Sequence, residues 1–367
     1  MNKTRLLFFV EDLSVTNGPN CQLKNVTRTL LESGLFEIHI ATLCDQGISD
    51  ETITGIRLHC LNPRSTRLSQ CLELRQMTQS ISPDIIHAWG YSTHLPVAFS
   101  QLRNDNPAKL IYSYFCKPPN RLLVRRWLEE LIGREPAVVT ASHQSIADSL
   151  VADGFDNPIH IIPNSPTVGS PNQKDARQKL LELAGVHDDQ VFLAGTTGCM
   201  EPRFRIKDLI WATDILSSVR NDVHLMIFGD GAGKAALSHF LSKTEAIDKV
   251  HFIDSREINH EDLAGLNAYW NAQLEEPNPV MMLNAMSSGV PAISVVGPET
   301  EDVILPMQSG LGTNRGARDE FARWTKFLIE QTERNKALSV QSRRHVEMQF
   351  PAQKTVDALM QLYSPTG

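Results

Sequence analysis

Residues 275–296 read EEPNPVMMLNAMSSGVPAISVV and predict a loop, a helix and a strand in immediate succession. Asn278 is a good N-cap, and Pro279 suits the first helical turn because its missing N–H needs no partner there. Gly289 is placed to end the helix, and residues 292–296 form a short apolar run typical of a buried strand. The free N–H groups at such a helix start attract anions, phosphate above all. The stretch therefore predicts an anion-binding turn in an α/β domain.

The composition is that of a soluble globular protein. The 367 residues are enough for two domains, each with its own core, and 41% are hydrophobic while 21% are charged. The formal net charge of −7 argues against broad binding to nucleic acid, because no excess of Lys and Arg is present to neutralise phosphates. We therefore expect no nucleic-acid partner.

The cysteines and the first residues predict a cytoplasmic location. Six cysteines are widely spread and form no C-x-x-C pair, which indicates free thiols in a reducing compartment. The first apolar run, residues 6–10, is too short for a signal peptide or a membrane span and suits a buried strand.

Apolar runs alternate with helical segments along the chain. Residues 6–10 and 38–43 read as strands on either side of a helix over about 23–31, an order that predicts a parallel sheet with right-handed crossovers. The same alternation resumes after residues 166–173, PTVGSPNQ, which are rich in turn formers and predict a linker. Residues 341–362 read as a final helix.

The opening stretch resembles a known family. The Glu-x7-Glu-Ala-Met-x-x-Gly-x-Pro donor-site signature of retaining glycosyltransferases, family 4 of the GT-B fold, is matched in register by Glu276, Pro279, Ala285, Met286, Gly289, Val290 and Pro291. Residues 141–164 and 207–233 resemble other segments of that family, including its Val-Gly-Asp-Gly turn. The resemblance spans nearly the whole chain.

The resemblance implies an α/β fold of two Rossmann-like domains that face each other across a cleft. We expect an acceptor-side domain over residues 1–165, a linker over 166–174 and a donor domain over 175–345. Residues 346–367 are then the C-terminal helix that packs back toward the first domain, as in relatives.

The family implies transfer of a sugar from a nucleotide sugar to an acceptor hydroxyl, with retention at the anomeric carbon. Glu276 would hydrogen-bond the transferred sugar or its diphosphate, and Asn284 would bind the ribose. Without a metal, cations must meet the departing diphosphate, and Arg203 or Arg205 would take this role. Further donor-binding residues are expected to be Gly229, Pro279, Met281 and Lys207.

On the acceptor side, the family carries a glycine-rich first loop and a His-x-His strand end. Here Gly18 is the one glycine left in that loop, Trp89 replaces the second histidine, and His94 follows five residues later. We expect Gly18, Trp89 and His94 to line the acceptor side and His87 to be structural. The basic segment 117–134 reads as an amphipathic helix, either a solvated charged face or a peripheral membrane contact.

No cofactor is implied beyond the nucleotide sugar as co-substrate. Asp-x-Asp, the metal–diphosphate motif of the other large glycosyltransferase fold, does not occur, which favours a metal-independent reaction. The acceptor is expected to be a saccharide or a lipid-linked hydroxyl, with at most peripheral contact at the inner membrane face.

Four departures from the family pattern leave a second hypothesis open. Trp89, Cys199, Phe204 and Asn284 stand where the family has a histidine, an arginine, a lysine and a glutamate. A catalytically degenerate homologue that binds a sugar nucleotide or a partner would explain them. A nucleotide-sugar epimerase on the same fold is a third alternative, which no motif favours.

Overall fold

The computed structural model describes residues 3–13, 18–43, 55–62, 66–102, 104, 107–117, 136–155, 157–167, 169, 171–273, 279–298 and 300–364. The chain divides into two compact units. The first comprises Met1–Ser14, Gln22–Asn164 and Ala352–Gly367, and the second comprises Val15–Cys21 and Ser165–Pro351.

The described elements alternate between strands and helices along most of the chain. In chain order they are β1 (Thr4–Val10), α1 (Gly18–Glu32), β2 (Phe36–Thr42), β3 (Arg57–Cys60), α2 (Arg67–Ile81), β4 (Ile85–Trp89), α3 (His94–Ser100), β5 (Lys109–Tyr114), β6 (Val138–Ala141), α4 (Gln144–Ala152), β7 (Ile159–Ile161), α5 (Gln173–Ala184), β8 (Phe192–Thr197), α6 (Ile206–Ser217), β9 (Val223–Phe228), α7 (Lys234–Leu241), β10 (Val250–Ile253), β11 (Ala268–Asn271), α8 (Val280–Ser287), β12 (Ala292–Val295), β13 (Leu311–Thr313), α9 (Arg318–Glu330), α10 (Thr332–Gln349) and α11 (Ala352–Tyr363).

Each unit is built around a parallel sheet. The seven strands of the first unit have the order β3-β2-β1-β4-β5-β6-β7, and the six of the second have the order β10-β9-β8-β11-β12-β13. Helices connect many of the successive strands, including β1 to β2, β8 to β9 and β11 to β12, as parallel crossovers require. The predicted α/β fold with two Rossmann-like domains is confirmed. Within the described residues, no helix is long and apolar enough to cross a membrane.

The central strands are apolar on both faces because both faces are covered. In β9, Val223, Leu225 and Ile227 pack into one hydrophobic cluster, while Met226 and Phe228 pack into the cluster on the opposite face. Successive side chains of a strand point to opposite faces, so each central strand must supply apolar residues to both. Strand β1 is buried in the same way along Leu6–Val10.

Two helix predictions were wrong in their bounds. Helix α1 begins at Gly18, five residues before the predicted start, so residues 18–22 are helical instead of a loop. The predicted C-terminal helix is two helices, because Pro351 has no N–H for a helical bond and its ring clashes with the preceding turn. Almost all of the predicted helix over residues 117–134 lies outside the described residues.

The C-terminal helix α11 is held in the first unit by a buried chain of hydrogen bonds. Tyr363 Oη lies 2.6 Å from His87 Nδ1, and His87 Nε2 lies 2.6 Å from Ser113 Oγ. Ser113 Oγ in turn lies 2.6 Å from Thr140 Oγ1. A neutral imidazole accepts at one nitrogen and donates at the other, so it serves both neighbours. The expectation that His87 is structural fits these contacts.

We predict that the free energy of unfolding falls in acid and that His87 accounts for a measurable part of this fall. Burial lowers the pKa of His87 from 6.5 to about 3, so between these values the unfolded chain binds the proton that the folded chain excludes. Stability from this residue is complete above about pH 6.5 and falls by about 1.4 kcal/mol per pH unit as the pH drops toward 3. Urea unfolding at pH 7.0, 6.0 and 5.0 should show a smaller loss in His87→Gln than in the wild type.

Four other histidines, His39, His59, His224 and His251, also have lowered pKa values, chiefly because of burial. The free energy of unfolding of His87→Gln should therefore still fall as the pH drops, because these four histidines also take up protons more readily in the unfolded chain. Identical slopes in wild type and His87→Gln would contradict the prediction.

Candidate functional site

The carboxyl edge of the second sheet carries the loops in which a ligand would bind. The chain leaves β8 toward β9 and β10 on one side of the sheet, while β11, β12 and β13 lie on the other. In open α/β sheets, ligands bind outside the carboxyl ends of the strands where the order reverses in this way. Here that position lies between β8 and β11.

The loops after β8 and β9 lie backbone against backbone at this edge. Gly198 N donates to Phe228 O at 3.1 Å, and Met200 N donates to Asp230 O at 3.0 Å. A Cβ atom on Gly229 would overlap the carbonyl oxygen of Gly198, and one on Gly233 would overlap that of Met200. Gly229 also has φ 154°, which L side chains rarely adopt. Glycine is therefore required for the two loops to approach so closely.

Substituting Gly229 should disrupt this contact. We expect Gly229→Ala to lower the free energy of unfolding by about 2–4 kcal/mol, because the added methyl group must displace backbone and the φ value becomes strained. Gly297→Ala is the matched control, since nothing lies within 4 Å of the Cβ it would gain. Urea denaturation of both variants checks the difference; equal losses would show that the loop contact is not tight.

Uncharged polar side chains bond one another along the same edge. Thr197 Oγ1 lies 2.6 Å from Tyr269 Oη, joining the ends of β8 and β11. Burial raises the pKa of Tyr269 to about 12, so the phenol stays protonated near neutral pH. Asn271 Nδ2 donates to Ser294 Oγ at 2.9 Å, joining β11 to β12. These bonds fix the strand ends around the switch point.

Arg205 and Lys207, two of the three cations predicted for the donor site, contact other side chains of the second unit. Arg205, at φ 52°, forms an ion pair with Asp208, whose other carboxylate oxygen accepts from Arg318 Nε at 2.6 Å. Lys207 Nζ lies 4.5 Å from the centroid of the Phe240 ring on α7. Both cations therefore contact residues of the layer formed by α6, α7 and α9.

Arg203 remains the more accessible cation of the loop. Its Nε lies 2.9 Å from Glu201 Oε2, in an ion pair whose two side chains are about half exposed. Its guanidinium lies 5.3 Å from the centroid of the Phe204 ring, and that ring occupies the space where a side chain on Gly198 would lie. Phe204 thus contacts both Arg203 and the turn at Gly198.

The Asp208 group should prove structural. Removing the nearly buried carboxylate in Asp208→Ala leaves Arg205 and Arg318 facing each other unpaired, and we expect a loss of about 2–3 kcal/mol in the free energy of unfolding. The control Glu333→Ala breaks a fully exposed pair with Lys336 and should change stability by less than about 0.5 kcal/mol. Urea denaturation measures both, and a neutral Asp208→Ala would refute a structural role.

Helix α8 places the predicted ribose-binding residue in the interior. Asn284 Oδ1 accepts from Thr167 N at 2.6 Å, and Asn284 Nδ2 lies 3.8 Å from Met281 Sδ. The residue is only 2% exposed. Pro279 is the N-cap of α8 rather than its first helical residue, and Glu276 lies outside the described residues. The roles assigned to Asn284, Met281, Pro279 and Glu276 stay predictions.

In the first unit, the candidate residues at the end of β4 are buried in aromatic surroundings. The ring of His94 is fully buried and stacks on Tyr112 at a centroid distance of 4.4 Å, so a sugar reaches it only if these rings move. Trp89 packs against Phe115 at 4.8 Å. Gly18, which belongs to the second unit, is the first residue of α1. Their acceptor-side roles likewise stay predictions.

Two protein-family models match the chain. The family model described as "Glycosyl transferases group 1" matches residues 173–345, and that described as "Glycosyltransferase Family 4" matches residues 16–165. The chain belongs to the family 4 glycosyltransferases. A comparison with curated protein sequences finds no match.

Solved GT-B glycosyltransferase structures share the fold of this family 4 chain at low identity. Anabaena HepE in complex with UDP-glucose superposes with a TM-score of 0.77 at 15% identity, covering 98% of both chains. Sucrose-phosphate synthase from Thermosynechococcus elongatus gives 0.74 at 17% identity and 98% of both chains. WaaG, a glycosyltransferase involved in lipopolysaccharide biosynthesis, gives 0.75 at 12% identity, with 98% of this chain and 100% of that one.

Two residues that connect separate elements of the second unit, Asp208 and Asn267, were not predicted to do so from the sequence. Asp208 joins two helix starts, and Asn267 Oδ1 accepts from both Leu193 N at 2.8 Å and Arg177 Nη1 at 2.9 Å. Their partners lie far along the chain, and no local pattern indicates them.

Proposed function

We propose that this family 4 chain transfers a sugar from a nucleotide-sugar donor to an acceptor hydroxyl, with retention at the anomeric carbon and without a metal. The observation that carries the proposal is the pair of interlocked glycine turns at the switch point of the second sheet, in a chain that belongs to this family. The second unit is then the donor domain.

The charge that develops on the departing diphosphate is met by this chain's own side chains. Arg203 is the cation best placed to move, because its pair with Glu201 is exposed and an exposed pair costs little to exchange for a diphosphate. Arg205 is tied to the nearly buried Asp208 and supports the loop instead. Glu276 would hydrogen-bond the transferred sugar or its diphosphate.

The first unit is the proposed acceptor side, and the acceptor is a saccharide or a lipid-linked hydroxyl. We place the protein in the cytoplasm, with at most peripheral membrane contact. HepE was crystallised with UDP-glucose, which makes UDP-sugars the first donors to test. Asn284 would contribute to the ribose site only after releasing Thr167 N.

A second candidate, a homologue that binds without turnover, is favoured by two contacts. The side-chain oxygen of Asn284 already accepts a hydrogen bond from Thr167 N. Phe204, which stands where the family has a lysine, lies over Gly198. Both remove ligand-binding groups that the family signature implies. Binding and turnover therefore have to be measured separately.

The first experiment measures thermal stability with UDP-, GDP- and ADP-sugars and the free diphosphates. A ligand that binds only the folded state at a hundredfold excess over its Kd stabilises by about 2.7 kcal/mol, and we expect one nucleotide series to raise Tm accordingly. Arg203→Ala should reduce that shift. The control Arg343→Ala, which breaks an exposed pair with Glu347 on α10, should preserve it.

Turnover then separates the two candidates. The donor that shifts Tm is incubated with saccharide acceptors, and the anomeric configuration of the product is read by NMR. A retained product establishes the transferase. Binding without any transfer or donor hydrolysis favours the binding homologue, and no Tm shift with any nucleotide overturns the donor site itself.

A further inference from the structure

Helix α6 carries a row of exposed apolar side chains on its outer face. Trp211, Ile215 and Val219 follow one another at intervals of four residues, which places them on one side of the helix and of the turn that ends it. No other three exposed large hydrophobic residues in the described part of the chain share this spacing. Exposed apolar side chains grouped in this way mark surfaces that become covered in an assembly. We call this row the α6 stripe.

Neighbouring elements widen the apolar face around the stripe. The ring of Phe240 on α7 lies nearly parallel to that of Trp211, with the two centroids 5.9 Å apart. Ile247, which is half exposed, belongs to the turn between α7 and β10. That turn is joined to α6, because Glu245 N donates to Asp214 Oδ1 at 2.7 Å. The face therefore extends from α6 over α7 to the turn before β10.

The amino end of the stripe is positively charged. Lys207 lies in the first turn of α6, and Arg318 Cζ lies 5.2 Å from the centroid of the Trp211 ring. Asp208 forms ion pairs with both Arg318 and Arg205, so its single charge balances only one of the two.

The carboxyl end of the stripe is negatively charged. Three carboxylates, those of Asp214, Glu245 and Asp248, belong to α6 or to the turn before β10, and they outnumber Lys243 and Lys249 in that turn. The macrodipole of α6 has the same sense, because it is positive at the amino end and negative at the carboxyl end. The stripe is thus an apolar row between two rims of opposite charge.

A second copy of the same chain has the surface that complements this pattern. A two-fold axis through the middle of α6 makes the two helices antiparallel, so that each positive end faces the negative end of the other copy. Trp211 then meets the aliphatic end of the other stripe. A parallel arrangement would bring like charges together, which costs free energy. Two-fold symmetry is also the commonest symmetry of protein dimers.

The size of the stripe limits the strength of such a contact. A stable interface buries about 800 Å² on each partner, and a row of three side chains about 12 Å long supplies only part of that area. The contact must therefore include α7 and the turn that carries Ile247, and we expect a dimer that dissociates on dilution.

We propose that the α6 stripe joins two copies of this chain, with their α6 helices antiparallel about a two-fold axis. This inference does not rest on the proposed function, because neither donor nor acceptor takes part in the contact.

Sedimentation velocity over a series of protein concentrations tests the contact. The wild type should shift from monomer to dimer as the concentration rises. Val219→Lys places an ammonium group against the positive end of the other copy, and we expect it to raise the Kd of the dimer by about tenfold or more.

The chain offers a matched control for this substitution. Val340 on α10 is 69% exposed, as is Val219, and it lies outside the stripe. Val340→Lys should therefore leave the Kd of the dimer unchanged. Urea denaturation of both variants confirms that each is folded.

A charge reversal tests the antiparallel arrangement. Glu245→Lys puts a cation opposite the positive end of the other copy, and Lys207→Glu puts an acid opposite its negative end. Each variant should weaken the dimer several-fold. The double variant reverses both ends together and should recover most of the wild-type affinity, whereas losses that simply add overturn the antiparallel arrangement.

The remaining outcomes also decide the proposal. A wild type that stays monomeric at every concentration overturns it and leaves the stripe to a different protein partner. A dimer that Val219→Lys does not weaken is formed by another surface, which overturns it as well. Equal losses in Val219→Lys and Val340→Lys show a general effect of added charge and likewise overturn it.

Discussion

The second unit depends on two turns that approach each other more closely than side chains permit. Gly229 and Gly233 lie against the backbone of Gly198 and Met200, and hydrogen bonds join the two loops at both points. Because backbone meets backbone, the ends of β8 and β9 are fixed relative to each other without any flexible side chain between them. The loops that follow β8 and β9 are positioned by this contact.

Charge is distributed around that contact in an unusual way. The ring of Phe204 lies where a side chain on Gly198 would lie, so this part of the loop is apolar. Arg205 adopts a left-handed conformation that costs energy for a non-glycine residue, and its pair with Asp208 offsets that cost. Arg203, which is about half exposed, lies beside its own carboxylate, that of Glu201. Anion binding by Arg203 therefore requires exchange of partners.

The sequence predicted the parallel α/β architecture because its signals are local. An apolar run such as Leu6–Val10 suits a strand covered on both faces, and the Gly229–Gly233 turn follows such a strand directly. The break at Pro351 was equally local and could have been read. By contrast, Tyr363 meets His87 across 276 residues, and Thr167 meets Asn284 across 117. No periodicity indicates such pairs, so a structural His87 could be expected from the sequence but neither its partner nor that of Asn284 could be named.

The buried surroundings of Asn284 suit an amide better than an acid. A glutamate at that position, 2% exposed and contacting a backbone N–H and a thioether, would carry a charge into an apolar interior at a large desolvation cost. The amide accepts the same hydrogen bond without that cost. Phe204 places an uncharged ring where a side chain on Gly198 would lie, so this contact needs no charged partner either. Both positions are thus neutral contacts of the fold, whereas Arg203, about half exposed beside Glu201, keeps its charge within reach of solvent.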